Sequence, residues 1–425
     1  MKKIYVTQPS LPDIKIYSKQ LEKIWQSKML SNNGEILIDF ENGLRDYLKI
    51  DNIGLISNGT LALLIALKAF DLKGEVITTP YSFVATTHVL EWLGLKTVFC
   101  DIEPETCNID PNKIEELITE HTSAILPVHV YGNPCNHQKI QEIADKHNLK
   151  VIYDAAHAFG VEKDGESILN WGDASILSFH ATKVFNTVEG GAVIIGDNDL
   201  RRGEGTRGRG DGRTSSESKI DHPSSDYGST RNVKCKMGED SSFDSLITTH
   251  DSLSIKRRVD LLRNFGISDE EHVELAGLNA KMNELICAYG LLQLETIDEE
   301  IGKRKQISLR YREAFADVKG IRLMDEQSGV KYNYSYFPIF IEKDKYGMSR
   351  DELYLKLKEE GIHARKYFYP LISNFSMYVD LPTATPEGLP IANRIANEVL
   401  CLPMYGDISL DDLNRVIHKI KTETI

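Results

Sequence analysis

The chain has 425 residues, 41% of them hydrophobic and 27% charged, which is too much for one small core and points to two packed units of unequal size. A formal charge of −13 excludes bulk attraction to nucleic acid as the main business of the surface. The six cysteines include no C-x-x-C pair and none at zinc-ligand spacing with histidine, so they are expected as free buried thiols with no metal site.

The start, "MKKIYVTQPSLPD", has two lysines but no apolar run behind them and does not read as a signal peptide. The most apolar run, "LALLIALKAF", is far short of the roughly 20 residues that cross a bilayer. A cytoplasmic protein with no membrane insertion is expected.

Short β-rich runs then alternate with helical patterns. "IGLIS" (53–57) reads as a strand and "GTLALLIALKAF" as a helix, followed by "EVITTP" (75–80) and the helical "SFVATTHVLEWLG". "KTVFCDI" is a strand, and "DPNKIEELIT" a helix opening on Asp110 as cap with Pro111 in its first turn. "SAILPVHV", the helix "NHQKIQEIADKHN" and "KVIYDAA" continue the alternation, and "DASILSFH" and "GGAVII" close it. The alternation implies parallel pairing in an α/β layered fold, and strands covered on both faces explain the solid apolar runs. At about residue 197 the pattern breaks. Residues 197–246 are rich in Gly, Ser, Arg and Asp and nearly free of apolar side chains, so they read as an inserted, largely disordered loop. The "RGRGDGR" piece within it is a solvated loop rather than an RNA-binding tail. Patterning resumes at "DSLSIKRRVDLLRNFGI" and runs into a long span of helical spacing, "GLNAKMNELICAYGLLQLETIDEEIGKRKQISLRYREAF" (277–315), expected as a long helix, whole or broken. Beyond it come the strand "YNYSYFPIFI", the helix "SRDELYLKLKEEG" ending at Gly361, and the terminal helix "SLDDLNRVIHKIKT". Residues 1–285 are expected as a large domain and 286–425 as a smaller α+β domain.

Open parallel sheets bind ligands at the carboxyl ends of their strands. "SNGT" (57–60) joins a strand to a helix start, whose free N–H groups suit a phosphate; Gly59 allows close approach and Thr60 adds a hydroxyl. "VIYDAAHAFG" places Asp154 at a strand end and His157 three residues on. Lys183 in "SFHATKVFNTVEGGA" follows another strand, where burial can lower its pKa and free its amine as a nucleophile. Alone, the turn, the histidine and the lysine are more often structural or solvated, and the aspartate is as often a helix cap. Together, in this chain order, they supply what pyridoxal 5′-phosphate needs: an anion site, an acid for the pyridine nitrogen and an amine.

"SNGTLAL", "TTPYSFVATT", "ILPVHVYGNPC", "VIYDAAHAFG", "SFHATKVFNTVEGGA", "LLRNFGI" and "GLNAKMNELICAYGLLQLE" resemble the DegT/StrS sugar aminotransferases over nearly the whole chain except the insert. "SKMLSNNGE" and "ARKYFYPLISNFSMY" look most like the branch that makes dTDP-4-amino-4,6-dideoxyglucose (viosamine). The resemblance implies a fold-type-I pyridoxal-phosphate transferase and a role for each matching residue. Lys183 would form the Schiff base, Asp154 would pair with the pyridine nitrogen, and His157 would lie near the ring's phenolic oxygen. Phe83 would stack on the pyridine face. Ser178 would bind the cofactor phosphate with Gly59 and Thr60. Asn279 would reach the phosphate of a neighbouring subunit, implying a homodimer with shared active sites. Implied substrates are L-glutamate and a nucleotide-linked 4-keto-6-deoxyhexose, the product serving lipopolysaccharide or other cell-surface polysaccharide. The alternatives are a 3-amino-sugar transaminase and an inactive, regulatory relative. For the sugar, the candidates are Tyr332, Tyr334 and Tyr336, which more often serve packing, Arg365, which could face a carboxylate or diphosphate and equally suits a surface salt bridge, and residues 31–33.

Overall fold

The computed structural model describes residues 2–196 and 253–423, so the insert expected at 197–246 lies outside the described residues. Seven strands form the main sheet: β1 (Ile53–Ile56), β2 (Glu75–Thr78), β3 (Lys96–Phe99), β4 (Thr122–Leu126), β5 (Lys150–Asp154), β6 (Ala174–Ser178) and β7 (Gly191–Ile195). Their spatial order is β1-β7-β6-β5-β4-β2-β3. Helices α1 (Ile14–Ser27), α2 (Glu35–Leu48), α3 (Gly59–Ala69), α4 (Ala85–Trp92), α5 (His137–His147) and α6 (Ile255–Leu262) accompany it. Every residue of β1 and of β7 is buried, as the apolar runs required.

The expected parallel pairing holds from β3 across to β6 and fails at β7, which is antiparallel to both β6 and β1. The reason is the connection. Residues 179–190 contain no helix that could carry the chain back over the sheet, so β7 returns beside β6 in the opposite sense. The register then sets Gly191 opposite both Ser178 and Ile56, with Asp154 one strand further along beside Ile176. The last residues of β1, β5 and β6 therefore share one edge of the sheet.

One expected element is absent. Residues 110–119 form turns and a single 3-10 turn, Glu115–Leu117, rather than a helix. The Asp110 carboxylate accepts the Asn112 N–H at 2.9 Å, a local turn that competes with helix capping, and Ile114 is drawn into the core against β2, β4 and β5.

The long span expected over 277–315 is helical only from Glu284: residues 277–283 stay outside, Asn283 caps the start, and α7 (Glu284–Phe315) is one unbroken helix. Its first half packs on α2. There Gly290 admits the Phe40 ring so closely that an added Cβ would lie 2.4 Å from Phe40 Cζ. Its second half, through Ile307, Tyr311 and Phe315, joins a different core built on β8 (Ile321–Leu323), β9 (Phe337–Ile341) and β10 (Val399–Leu402). β9 is the later half of the expected 332–341 strand. Helices α8 (Arg350–Glu359), α9 (Pro390–Glu398) and α10 (Leu410–Thr422) cover this smaller sheet. Ser349 and Glu352 form a full capping box on α8, and Gly361 follows it with φ +74°. The N-terminus also belongs here, because Ile4–Tyr5 pairs with Ile362–His363.

Asp101, just past β3, ties the two sheets together. Its carboxylate accepts the N–H groups of Ile391 (3.1 Å) and Ala392 (2.8 Å) at the start of α9 and an ion pair from Lys113 (2.9 Å).

Gly290→Ala tests the α2–α7 contact. The methyl group raises helix propensity by about 1 kcal/mol, yet it meets a fully buried ring that has no room to move. A net loss of roughly 1–2 kcal/mol is expected from such overpacking, read as a lower Tm. An unchanged or raised Tm would show that the contact is loose.

Candidate active site

The shared edge of β1, β5 and β6 opens into a cavity of about 750 Å³. Gly59, Thr60, Phe83, Asp154, His157, Ser178 and Lys183 all line it, so seven of the eight residues expected at the cofactor meet at one place.

The β1–α3 turn comes first. Asn58 caps α3, its side-chain oxygen accepting the Leu61 N–H at 2.9 Å. Gly59 begins the helix so close to β6 that a Cβ on it would lie 2.8 Å from Ser178 Cβ and 3.0 Å from Ser178 Oγ. The missing side chain leaves the first N–H groups of α3, the Thr60 hydroxyl and the Ser178 hydroxyl facing one space. That donor set suits a phosphate.

The segment after β5 carries Asp154 and His157. Asp154 is 5% exposed. Its Oδ2 accepts the Thr86 hydroxyl at 2.8 Å and its Oδ1 the Ala156 N–H at 3.1 Å. Burial pushes this carboxyl above its ordinary range, while the Thr86 hydroxyl, the Ala156 N–H and the Lys183 charge pull it back. His157 Nδ1 accepts the Tyr131 N–H at 3.2 Å, which leaves the ring proton on Nε2. Burial first, then the charges of Lys183 and Arg365, push its pKa well below the usual histidine range, so the ring is neutral. Asn333 and Ser335 hold the His157 carbonyl at 2.8 and 2.9 Å.

Lys183 sits in the β6–β7 loop. Phe179 and Phe185 flank it and are both fully buried, packing edge to face 5.1 Å apart. They anchor the loop, while Lys183 is half-buried on the cavity wall. Burial lowers its pKa to about 8, with Asp154 acting upward and Arg365 acting further downward. A substantial fraction of the amine is therefore neutral near neutral pH.

Other candidates fall elsewhere. Asn279 lies off the cavity wall, where its Oδ1 accepts Lys281 Nζ at 3.1 Å. Tyr332 and Tyr334 line a separate small cavity with Arg312 and Glu326. Tyr336 packs 4.8 Å from His157 as part of the buried aromatic layer behind it. Asn32 and Asn33 form a left-handed turn ahead of α2 and do not reach the cavity. Arg365 does line it, its guanidinium carbon 4.1 Å above the Tyr367 ring, with no carboxylate partner among the described residues. Thr86 and Ser82 carried no signal in the sequence beyond polar residues in an apolar helix start.

The sequence pattern of the DegT/DnrJ/EryC1/StrS aminotransferase family matches residues 14–206 and 245–421. This chain belongs to that family. The match passes over residues 207–244, within the stretch read as an insert. The chain is 43% identical over 420 residues to the dTDP-4-amino-4,6-dideoxy-D-glucose transaminase of Shigella dysenteriae, covering 99% of each. It is 28% identical to the GDP-perosamine synthase of Caulobacter vibrioides, covering 91% of this chain and 90% of the relative. Among solved structures it is similar to DesI crystallised in the presence of its TDP-sugar product, with a TM-score of 0.82 and 30% identity. That match covers 99% of this chain and 93% of DesI. The family makes the chain an aminotransferase and places it in the pyridoxal-phosphate-dependent α/β class. The Gly59 cradle, the buried Asp154 and the low-pKa Lys183 fit that cofactor.

Gly59→Ala fills the cradle with a methyl group. It is expected to weaken binding of pyridoxal 5′-phosphate roughly 10- to 100-fold, the loss of about one charged hydrogen bond or two, while the circular dichroism spectrum is unchanged. An unaltered dissociation constant, measured by fluorescence titration, would remove Gly59 from the phosphate site.

Proposed function

We propose that this chain transfers the amino group of L-glutamate to C4 of dTDP-4-keto-6-deoxyglucose, giving dTDP-4-amino-4,6-dideoxyglucose. The meeting of Lys183, Asp154 and the Gly59 cradle in one cavity carries the transaminase reading. The choice of sugar is supported by the 43% identity, over nearly full length, to transaminases of that name from Shigella dysenteriae and Escherichia coli.

Pyridoxal phosphate, when bound, supplies an aldehyde that takes up the amine and a ring that accepts the electron pair of the α-carbon. The chain does the rest. Ser178, Thr60 and the first N–H groups of α3 hold the phosphate. Asp154 presents a carboxylate to the ring nitrogen and keeps it protonated. His157, neutral and protonated on Nε2, offers a donor toward the cavity. Phe83, which lines the cavity at the start of α4, covers one face of the ring. Lys183 holds the cofactor at rest and then moves a proton at Nζ, a role that needs the neutral amine its lowered pKa provides.

Arg365 binds a carboxylate of the amino donor. It is a cation in the cavity with no carboxylate partner among the described residues, and it lies close enough to Lys183 and His157 to depress both their pKa values. An anionic group near the reacting amine suits a carboxylate on the neighbouring carbon better than a diphosphate across the sugar ring. The working unit is a homodimer in the cytoplasm, with Asn279 of each copy reaching the other's site. The exposed apolar residues lining the cavity, Phe83 (49%) and Trp92 (83%), support such a cover. The product feeds cell-surface polysaccharide.

Incubation with dTDP-4-keto-6-deoxyglucose and L-glutamate, followed by NMR of the product, is expected to show an equatorial amine at C4. An amine at C3, or product only from a GDP-linked ketosugar, would overturn the substrate assignment. Lys183→Ala is expected to lower turnover by roughly 10³-fold or more, since it removes both the anchoring amine and the base. Near-normal turnover would remove Lys183 from its role.

Arg365→Met separates the donor from the sugar. KM for L-glutamate is expected to rise roughly tenfold or more, as for a lost charged hydrogen bond, with KM for the nucleotide sugar nearly unchanged. The opposite split would assign Arg365 to the diphosphate.

A further inference from the structure

The buried polar groups behind the cavity include a pair of hydroxyls. Ser82 Oγ and Thr86 Oγ1 lie 2.7 Å apart, and Thr86 Oγ1 lies 2.8 Å from Asp154 Oδ2. Thr86 is fully buried and Ser82 is 5% exposed. Ser82 precedes α4 and Thr86 is in its first turn, so one short segment delivers both hydroxyls and Phe83 to the same site.

We infer that Thr86, backed by Ser82, is a positioning residue that aims the Asp154 carboxylate at the bound cofactor and keeps it in its accepting form. The inference rests on the cavity being the pyridoxal phosphate site. An ionised carboxylate can only accept hydrogen bonds. Thr86 has one proton, so donating it to Asp154 obliges Ser82 to donate to Thr86. The chain of donors Ser82→Thr86→Asp154 is thus the arrangement that goes with a charged Asp154. A protonated Asp154 has no such need.

Thr86 matters because the other supports are unequal. The groups around Asp154 are Lys183 from the β6–β7 loop, His157 on its own segment, His129 whose N–H bonds the Asp154 carbonyl at 3.0 Å, and Tyr153 next to it in β5. His157 and His129 are both held neutral by burial, and burial pushes the Tyr153 hydroxyl far up, so none of these rings adds a charge. Lys183 does, but it carries no charge while its amine is neutral and ready to accept a proton. At that moment the Ala156 N–H and the Thr86 hydroxyl are the two donors still on the carboxylate.

Thr86→Val keeps the shape and removes the hydroxyl. The carboxylate then takes up its proton at higher pH. The acid limb of the pH dependence of kcat/KM for L-glutamate is expected to move up by roughly one pH unit, the equivalent of one charged hydrogen bond. The pH at which the visible absorption of bound pyridoxal 5′-phosphate changes should move with it, and the dissociation constant of the cofactor should rise. Thr86→Ser restores all three, which a merely structural role would not predict for the spectral shift. Ser82→Ala, which leaves Thr86 its proton but removes the donor behind it, moves them the same way by less and serves where the valine variant fails to fold. Native spectral titration and native cofactor affinity in a folded Thr86→Val or Ser82→Ala protein would overturn the inference. Failure of the wild-type chain to bind the cofactor would instead overturn the site on which it rests.

Discussion

A carboxylate taken out of water needs several donors or a countercharge, or it reverts to the acid. Asp154 is that carboxylate, and its needs organise the site. Its two donors and its countercharge come from three separate pieces of chain: the start of α4, its own continuation after β5, and the β6–β7 loop. Those pieces must meet with little tolerance. The ring stack behind them helps fix the meeting point. Phe159 follows His157 by two residues, Phe185 follows Lys183 by two, and the two rings lie parallel at 4.2 Å. The segment carrying the acid and the loop carrying the amine are thereby locked to each other within the large core, where Phe40 and Phe179 complete the packing. Fully burying rings of this size contributes about 1.5–3 kcal/mol each, and the geometry adds to it.

Much of this was legible in the sequence, and for a definite reason. Sheet-end residues are announced by their position after an apolar run, so Asp154 and Gly59 could be placed from pattern alone, whereas Ser178 came only with the family resemblance. Lys183 could not, since its loop has no periodicity; only its company with the others raised it. What stayed hidden depended on tertiary contact. Nothing in "SFVATTHVL" distinguishes Thr86, which faces Asp154, from Thr87 beside it, whose hydroxyl has no partner among the described residues. The direction of β7 was hidden too, because an apolar five-residue run reads the same in either sense. The turn at 110–119 shows the reverse case. Its composition favoured a helix, and a local carboxylate turn together with the burial of Ile114 prevailed.

The smaller domain is held by polar anchors rather than by apolar area alone. Arg304 on α7 is nearly fully buried, its Nε 2.6 Å from Glu300 and its NH1 3.2 Å from the Met404 carbonyl, while Glu300 also accepts the Gly406 N–H at 3.0 Å. Removing one member of such a buried pair typically costs about 3–5 kcal/mol, because the other charge is left without a partner. Asp101 provides the matching anchor on the far side. Between these two fixed points runs the segment that brings Arg365 to the cavity, its backbone paired with Cys401 at the end of the small sheet. The cation that lines the cavity is thus positioned by the smaller domain, while the acid and the amine are positioned by the larger.

That division has an electrostatic consequence. The cavity's own charge pattern is two cations, Lys183 and Arg365, around one buried anion, and Arg365 lowers the proton affinity of Lys183. In the proposed reaction a carboxylate of the donor settles on Arg365 and cancels its charge. The downward pressure on Lys183 is then relieved, so its amine takes up a proton more readily once the donor is bound than before. By linkage the same coupling works in reverse, and a neutral Lys183 favours a filled Arg365 less than a protonated one does. The amine is thus easiest to free when the cavity holds no donor and strongest as a proton acceptor when it holds one, which is the order in which a transaminase calls on it.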